Sequence, residues 1–254
     1  MGQRPVSLSK RAAPSLLIEG RVIPLTLRLD RRARRYIVRV DPFTGEVAVI
    51  SPSAHGKSTA LSFAREQAGW IAEKLAAVPP ARAYADGGTI PFHGIDHIIR
   101  HRSHERGVVS VHTPDPLGGK LPALCVSGAL HHLPRRLEDW LKRESRREIG
   151  ARLNIHADKL GFSPPAFGLR DPRSRWGSCT SQGNMSFSWR LILAPEFVLD
   201  YVVAHETAHL KQMNHGKAFW RLLEKLTPDV QRAENWLKRN GALLHRVGIS
   251  AAVS

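Results

Sequence analysis

The sequence predicts an α+β fold in which a β-rich N-terminal region precedes a helical domain built around a small sheet. Three observations carry that prediction. Short apolar runs broken by turn residues fill the chain to about residue 118, apolar residues at helical spacing dominate the remainder, and one strand-like alternation interrupts those helices between residues 175 and 193. With 254 residues and 42% hydrophobic content there is chain enough for a real core. The expected organisation is a disordered basic tail over 1–17, the β-rich region with one helix over 18–118, a helical domain over 119–246 and a tail over 247–254.

Taken in order, Leu16 to Ile23, Leu25 to Leu29, Tyr36 to Val40 and Glu46 to Ile50 read as strands, with Asp41 to Gly45 as a turn. Ser58 to Ala77 reads as one helix, supported by the spacing of Trp70, Ile71 and Leu75 and stopped by Pro79-Pro80. Strands are expected around Thr89 to Phe92, Asp96 to His101 and Val108 to His112, with a Gly/Pro-rich linker after them from Thr113 to Lys120. From Pro134 to about Leu160 a long helix carries Leu137, Trp140, Leu141, Ile149 and Leu153 on its apolar side. Beyond residue 216, Lys217 to Leu226 and Pro228 to Arg239 read as two short helices, with Gly241 as the stop. No internal repeat is present.

The most informative segment is HETAHLKQMNH, His205 to His215. Phe197, Val198, Leu199, Tyr201, Val202, Val203 and Leu210 make the stretch from Pro195 to Leu210 a helix that is apolar nearly all round, and such a helix is buried. His205 and His209, four residues apart, project from one face and converge. Glu206 stands where a carboxylate reaches a metal-bound water without displacing it, the general-base position of the HExxH signature. His215 completes the three ligands of a catalytic zinc site with one open position. Burying these groups without partners is expensive, and a cation gives all of them a use. Gln212 occupies the metzincin glycine position and no methionine comes after His215, so the chain must turn another way; Asn214 and Gly216 tolerate left-handed backbone there. Met213 reads as ordinary packing.

Upstream, alternation from Met185 through Phe187, Trp189, Leu191 and Leu193 predicts a half-buried strand, with Asn184, Ser186, Ser188 and Arg190 on the other face. Thr180 to Gly183 is turn-like, which makes Arg175 to Cys179 its hairpin partner. A polar-faced strand beside the metal can bind an extended peptide as an added strand, or simply complete the sheet. Asn184, Ser186, Arg175 and Tyr201 are the candidate substrate-binding residues. Tyr201, Asn184 and Arg175 are candidates for steadying the oxyanion, and no spacing rule chooses among them.

WGSC at Trp176 to Cys179, GNMSFSWRLILAP from Gly183 to Pro195 and HETAHLKQMNHGKAFW from His205 to Trp220 resemble the YgjP-like metallopeptidases, a family similar to the SprT-like and Wss1-like zinc proteases. The likeness is strongest from about Asp158 to Leu244. It implies a zincin-like catalytic domain with a small sheet and the HExxH helix, one zinc per chain on the residues matching His205, His209 and His215, and a catalytic residue at Glu206. Thr207-Ala208 departs from the Leu-Ala common after the glutamate. The resemblance names no particular substrate beyond a peptide or protein.

The formal net charge is +16, from 38 basic against 22 acidic residues, and argues for a polyanionic neighbour. Basic residues cluster in Arg28 to Arg39, Arg100 to Arg106 and Arg135 to Arg152, but no cluster interleaves aromatics or forms a DNA-binding motif, and the third mixes in Glu138, Asp139, Glu144 and Glu148. The two alternatives to a plain zinc peptidase are therefore a nucleic-acid-associated protease acting on DNA-bound proteins and a non-catalytic module whose metal fixes the fold. No apolar run approaches the roughly eighteen residues that span a bilayer, and Met1 to Ser15 lacks a secretory apolar stretch, so a cytoplasmic location without membrane contact is expected. The two cysteines, Cys125 and Cys179, suit a reducing compartment; Cys179 reads as a small buried hairpin residue. HGKST at His55 to Thr59 lacks the first phosphate-loop glycine, because position 51 is Ser51. His93 and His97 flank Gly94 and are not expected on a helix, while His131-His132 mark the start of the long helix.

Overall fold

Alternation in the first strands places Leu16, Ile18, Leu25, Val47 and Val49 on one face of a sheet, and Ala60, Ala64 and Ile71 from two helices close over it. In the computed structural model, which describes residues 14–54, 56–105 and 107–249, this is the first of two compact units, divided after Pro79. The greater part of the expected N-terminal tail, His55, Arg106 and residues 250–254 lie outside the described residues. The strands are β1 (Ser15–Ile18), β2 (Arg21–Leu29), β3 (Ile37–Val40) and β4 (Val47–Ser51), in the order β1-β2-β4-β3 with β2 and β4 parallel. The single strand expected from Leu16 to Ile23 is a hairpin instead. Glu19 and Gly20 take φ of 50° and 77°, the paired positive angles of a two-residue turn. The expected single helix is two, α1 (Lys57–Glu66) and α2 (Ala68–Ala76), because Gln67 at φ −92° and ψ 11° leaves helical geometry.

The second unit holds two sheets and four helices. Strands β5 (Thr89–Phe92), β6 (Ile95–His101), β7 (Val109–His112) and β8 (Ala123–Val126) run in the order β5-β6-β8-β7. The expected boundary near residue 118 falls inside this unit, because β8 pairs with both β6 and β7 and ties the segments on either side of the linker into one sheet. The second sheet, β10 (Gly177–Cys179), β11 (Met185–Ser188) and β9 (Phe167–Arg170), runs in that order, with the predicted hairpin antiparallel and β9 added in parallel. The expected strand stops at Ser188. Its hydroxyl accepts the Arg190 N–H, and Trp189–Leu193 coils into a 3₁₀ turn with Leu191, Ile192 and Leu193 all buried, a run that no two-faced strand accommodates.

Helix α3 (Leu133–Lys159) buries Leu133, Leu137, Leu141, Ile149 and Leu153, a stripe one turn apart, and packs on α4 (Glu196–Ala208). His156 Nε2 meets Asp200 Oδ1 at 2.8 Å and fastens the two helices. Burial alone would raise the Asp200 carboxyl, but the bonds from His156 and Thr227 and the nearby Arg152 charge hold it below its ordinary value. Helices α5 (Lys217–Leu226) and α6 (Val230–Leu244) pack on the other sides of α4. Gly241 lies inside α6 and does not end it. A Cβ there would stand 3.1 Å from the Trp176 ring, so its role is close packing. Among the described residues no helix is long and apolar enough to cross a membrane.

The start of α4 is fixed by a turn far back in the chain. At the β5–β6 hairpin tip, His93 N–H donates to Ile192 O at 2.9 Å and Gly94 N–H to Leu193 O at 3.1 Å. Gly94 has φ 77°, and a Cβ on it would stand 2.6 Å from Pro195 Cγ. Gly94→Ala is expected to lower the stability of the second unit by about 1–3 kcal/mol, read from the urea midpoint, with strain and overpacking acting together.

Candidate metal centre

The last turn of α4 carries His205, Glu206 and Thr207, in a helix whose Val198, Leu199, Val202, Val203, Ala204 and Ala208 are all buried. The helix ends at Ala208, and His209 comes next at φ −63° and ψ −18°, still helical, so the spacing that brings His205 and His209 onto one face is kept. The chain then returns. Gly216 is extended at φ −80° and ψ −179°, and neither it nor Asn214 takes positive φ, so the left-handed turn expected there is not used. The return brings His215 over the helix end, with its Nε2 3.1 Å from that of His205. One nitrogen from each of the three rings lies within 4.8 Å of the others.

Two of the rings have a partner near Nδ1, and His215 is held through its backbone carbonyl. His209 Nδ1 lies 3.0 Å from Gln212 O, so this nitrogen carries the proton and Nε2 presents its lone pair. Tyr201 Oη donates to Glu234 Oε1 at 3.0 Å and stands 3.5 Å from His205 Nδ1. Trp220 Nε1 donates to the His215 carbonyl at 3.0 Å. Beneath all three rings lies the buried Phe219, with ring centroids 5.0, 4.8 and 4.6 Å from those of His205, His209 and His215. Phe219 lines the site in a way that the HExxH spacing alone does not reveal. Its one signal in the sequence is a position on the apolar face of the helix that begins two residues after His215. Met213, expected as packing, is 43% exposed.

Burial, with His209 and His215 adding to it, lowers His205 to about 4, so the ring is neutral near pH 7, the form that ligates metal. Burial likewise lowers His209. Nitrogens bonded to one tetrahedral ion at about 2.0–2.1 Å sit about 3.3 Å apart, close to the separation of the first pair. Three imidazole rings, two of them pushed toward the neutral form by burial, converge at a spacing that fits a divalent transition-metal ion.

Glu206 is 7% exposed, and burial lifts its carboxyl to about 7, with the Arg175 charge pulling the other way. It lies against β10. A Cβ on Gly177 would stand 2.6 Å from Glu206 Cγ and 2.7 Å from Oε1, so only glycine leaves the carboxyl where it is. Thr207 turns its hydroxyl to Val203 O at 2.7 Å within the helix. The remaining sequence-selected residues divide. Arg175 is exposed but within electrostatic reach of Glu206. Tyr201 is engaged on the Nδ1 side of His205. Ser186 bonds Ser178 across the hairpin at 2.9 Å, and Asn184 bonds back into the turn through Thr180 and Gln182. Cys179 is half-buried beside Glu206, and burial raises its thiol.

The family model described as YgjP-like, metallopeptidase domain, matches residues 34–240, most of the chain. A solved structure, the crystal structure of the metallopeptidase zymogen of Pyrococcus abyssi abylysin, matches at 26% identity over 40% of this chain and 99% of that one, with a TM-score of 0.34. No curated protein matches the chain.

Truncating Phe219 removes the floor shared by the three rings. Phe219→Ala is expected to cost about 3–5 kcal/mol in chemical denaturation, and to weaken metal binding in a competition titration even at temperatures where the fold persists.

Proposed function

We propose that this chain, which belongs to the YgjP-like metallopeptidase family, is a zinc-dependent peptidase in which His205, His209 and His215 hold the ion and Glu206 is the general base. The observation that carries this reading is the convergence of three ring nitrogens within 4.8 Å, beside a carboxyl raised to about 7. Held by these rings, zinc would supply Lewis acidity for the scissile carbonyl and the attacking water, and a positive charge that would favour the ionised form of Glu206.

The chain's own groups do the rest. Glu206, pinned between α4 and Gly177, accepts the proton of the attacking water and returns it to the leaving amine. Desolvation makes it a stronger base than a solvated glutamate. One side of β10 pairs with β11 and the other is the open edge of the sheet, so an extended peptide can add there as a further strand, main chain to main chain, beside the carboxyl. Arg175 at the start of that edge is the best remaining candidate for steadying the oxyanion, because Tyr201 is occupied by Glu234. A module with purely structural metal gives Glu206 no use.

The test is a peptide-library digest read by mass spectrometry. Glu206→Gln should retain stoichiometric zinc and lose at least about a hundredfold in turnover, whereas His209→Ala should lose zinc as well. Gly177→Ala should behave like Glu206→Gln, because it moves the carboxyl and leaves the rings. Zinc-replete Glu206→Gln with wild-type cleavage rules out the assignment.

The net charge of +16 supports a second reading, recruitment by nucleic acid to DNA-bound protein substrates. Cleavage should then be stimulated by DNA and the stimulation lost steeply between low and moderate salt; equal rates with and without DNA exclude it.

A further inference from the structure

The sheet β5-β6-β8-β7 has one face in the core and one outside it. Leu124 and Val126 of β8 join the core, so Cys125 between them points to the other face. There Ser110 lies opposite Cys125 across the β7–β8 pair, and His112, two residues along β7, shares its side. The β6–β7 connection brings Glu105 over the same spot. Arg102 Nε donates to Glu105 Oε1 at 3.0 Å, which leaves Oε2 turned to Ser110 Oγ at 3.4 Å and His112 Nε2 at 4.0 Å. A carboxylate oxygen, an imidazole nitrogen and a thiol sulphur therefore lie within 4.8 Å of one another. Cys125 is 1% exposed and forms no disulfide.

We propose that Glu105, His112 and Cys125 form a second metal site, separate from the three-histidine centre, for a divalent ion of borderline-soft character such as zinc. The donor set selects the ion. Thiolate and imidazole together favour zinc-like ions over magnesium or calcium, and the carboxylate completes three ligands. Bond lengths of about 2.0–2.3 Å put tetrahedral ligand atoms about 3.3–3.8 Å apart. Ligand atoms at the 4.8 Å limit must therefore close by about 1.0–1.5 Å. Two stand on paired strands of fixed register, and the third, Glu105, stands between β6 and β7. Ser110 Oγ bonds His112 Nε2 at 2.9 Å and Glu105 Oε2 in turn, and the ion takes over that bridging role. The ion would thereby clip Glu105 to the strand pair.

Cobalt(II) separates the two centres, because only a thiolate ligand gives the near-ultraviolet sulphur-to-cobalt charge-transfer band and the three-histidine centre contains no sulphur. Metal-free protein titrated with cobalt(II) should bind two equivalents and show the band. The band should persist in His209→Ala and in Cys179→Ser. Cys125→Ser should abolish it together with one equivalent of metal. His112→Ala and Glu105→Gln, at partly exposed positions that leave the core intact, should each weaken the titration of the band by at least about tenfold. A titration without the band overturns the proposal, as does a band that survives Cys125→Ser. Failure of the three-histidine reading shows separately, as unchanged metal content in His209→Ala.

Discussion

The rest of the site depends on α4 being buried nearly all round while its last turns carry His205, Glu206, Thr207 and His209. A polar group inside a protein costs about 1–3 kcal/mol when left without a partner, so each of these needs a local answer. Thr207 turns back on its own helix and His209 Nδ1 finds the Gln212 carbonyl. Glu206 answers by giving up charge, which is the physical meaning of a carboxyl at about 7. The Nε2 atoms of His205 and the exposed His215 face each other at 3.1 Å. In the proposed zinc site, one shared cation would take all three rings as ligands. Burial thus shifts both Glu206 and His205 toward their neutral forms.

How much of this is legible in the sequence depends on whether the signal is periodic and local. The long helix and the hairpin before the site are readable because their apolar residues recur at regular intervals, and the site helix because it is apolar nearly all round and carries the HExxH spacing. The strand β8 is not, since Ala-Leu-Cys-Val is a short buried run with no alternation, and its partners lie far away in the chain. The strand β9 escapes for a similar reason. At Trp189–Leu193 the alternation is real in the sequence and misleading in space, because a serine cap and three consecutive buried residues wind the segment into a turn. Gly241 reads as a stop, and Gly177 carries no local signal at all. Both are glycines for a tertiary reason, the Trp176 ring in one case and the Glu206 carboxyl in the other, which no local pattern records.

The candidate site itself divides along the same line. The identities and spacing of His205, Glu206 and His209 are visible because one helix turn brings them together. What sequence does not supply is the set of groups that hold them: Phe219 under the rings, Glu234 behind Tyr201, and the Gln212 carbonyl behind His209. These contacts fix tautomer and ring angle, and so decide whether three histidines in a row of residues become three donors around one point.

The position of the third ring explains the architecture beyond α4. A ligand one turn further along the same helix would stand about 5.4 Å beyond His209 and could not converge with the other two. For His215 to meet His205 and His209 the chain must double back, which requires the helix to stop soon after His209. The fold does this by ending α4 at Ala208 and beginning α5 at Lys217, so that His215 sits just before the new helix. The first turns of α5 then secure it twice over: Phe219 supports the ring and Trp220 holds the carbonyl. Two helix ends that must in any case bury Phe219 and Leu223 against α4 therefore set the third donor without calling on the loop between them. This is why the intervening residues need neither the glycine nor the methionine turn of the metzincin pattern. Here the geometry resides in the packing of α5 on α4, not in the connection.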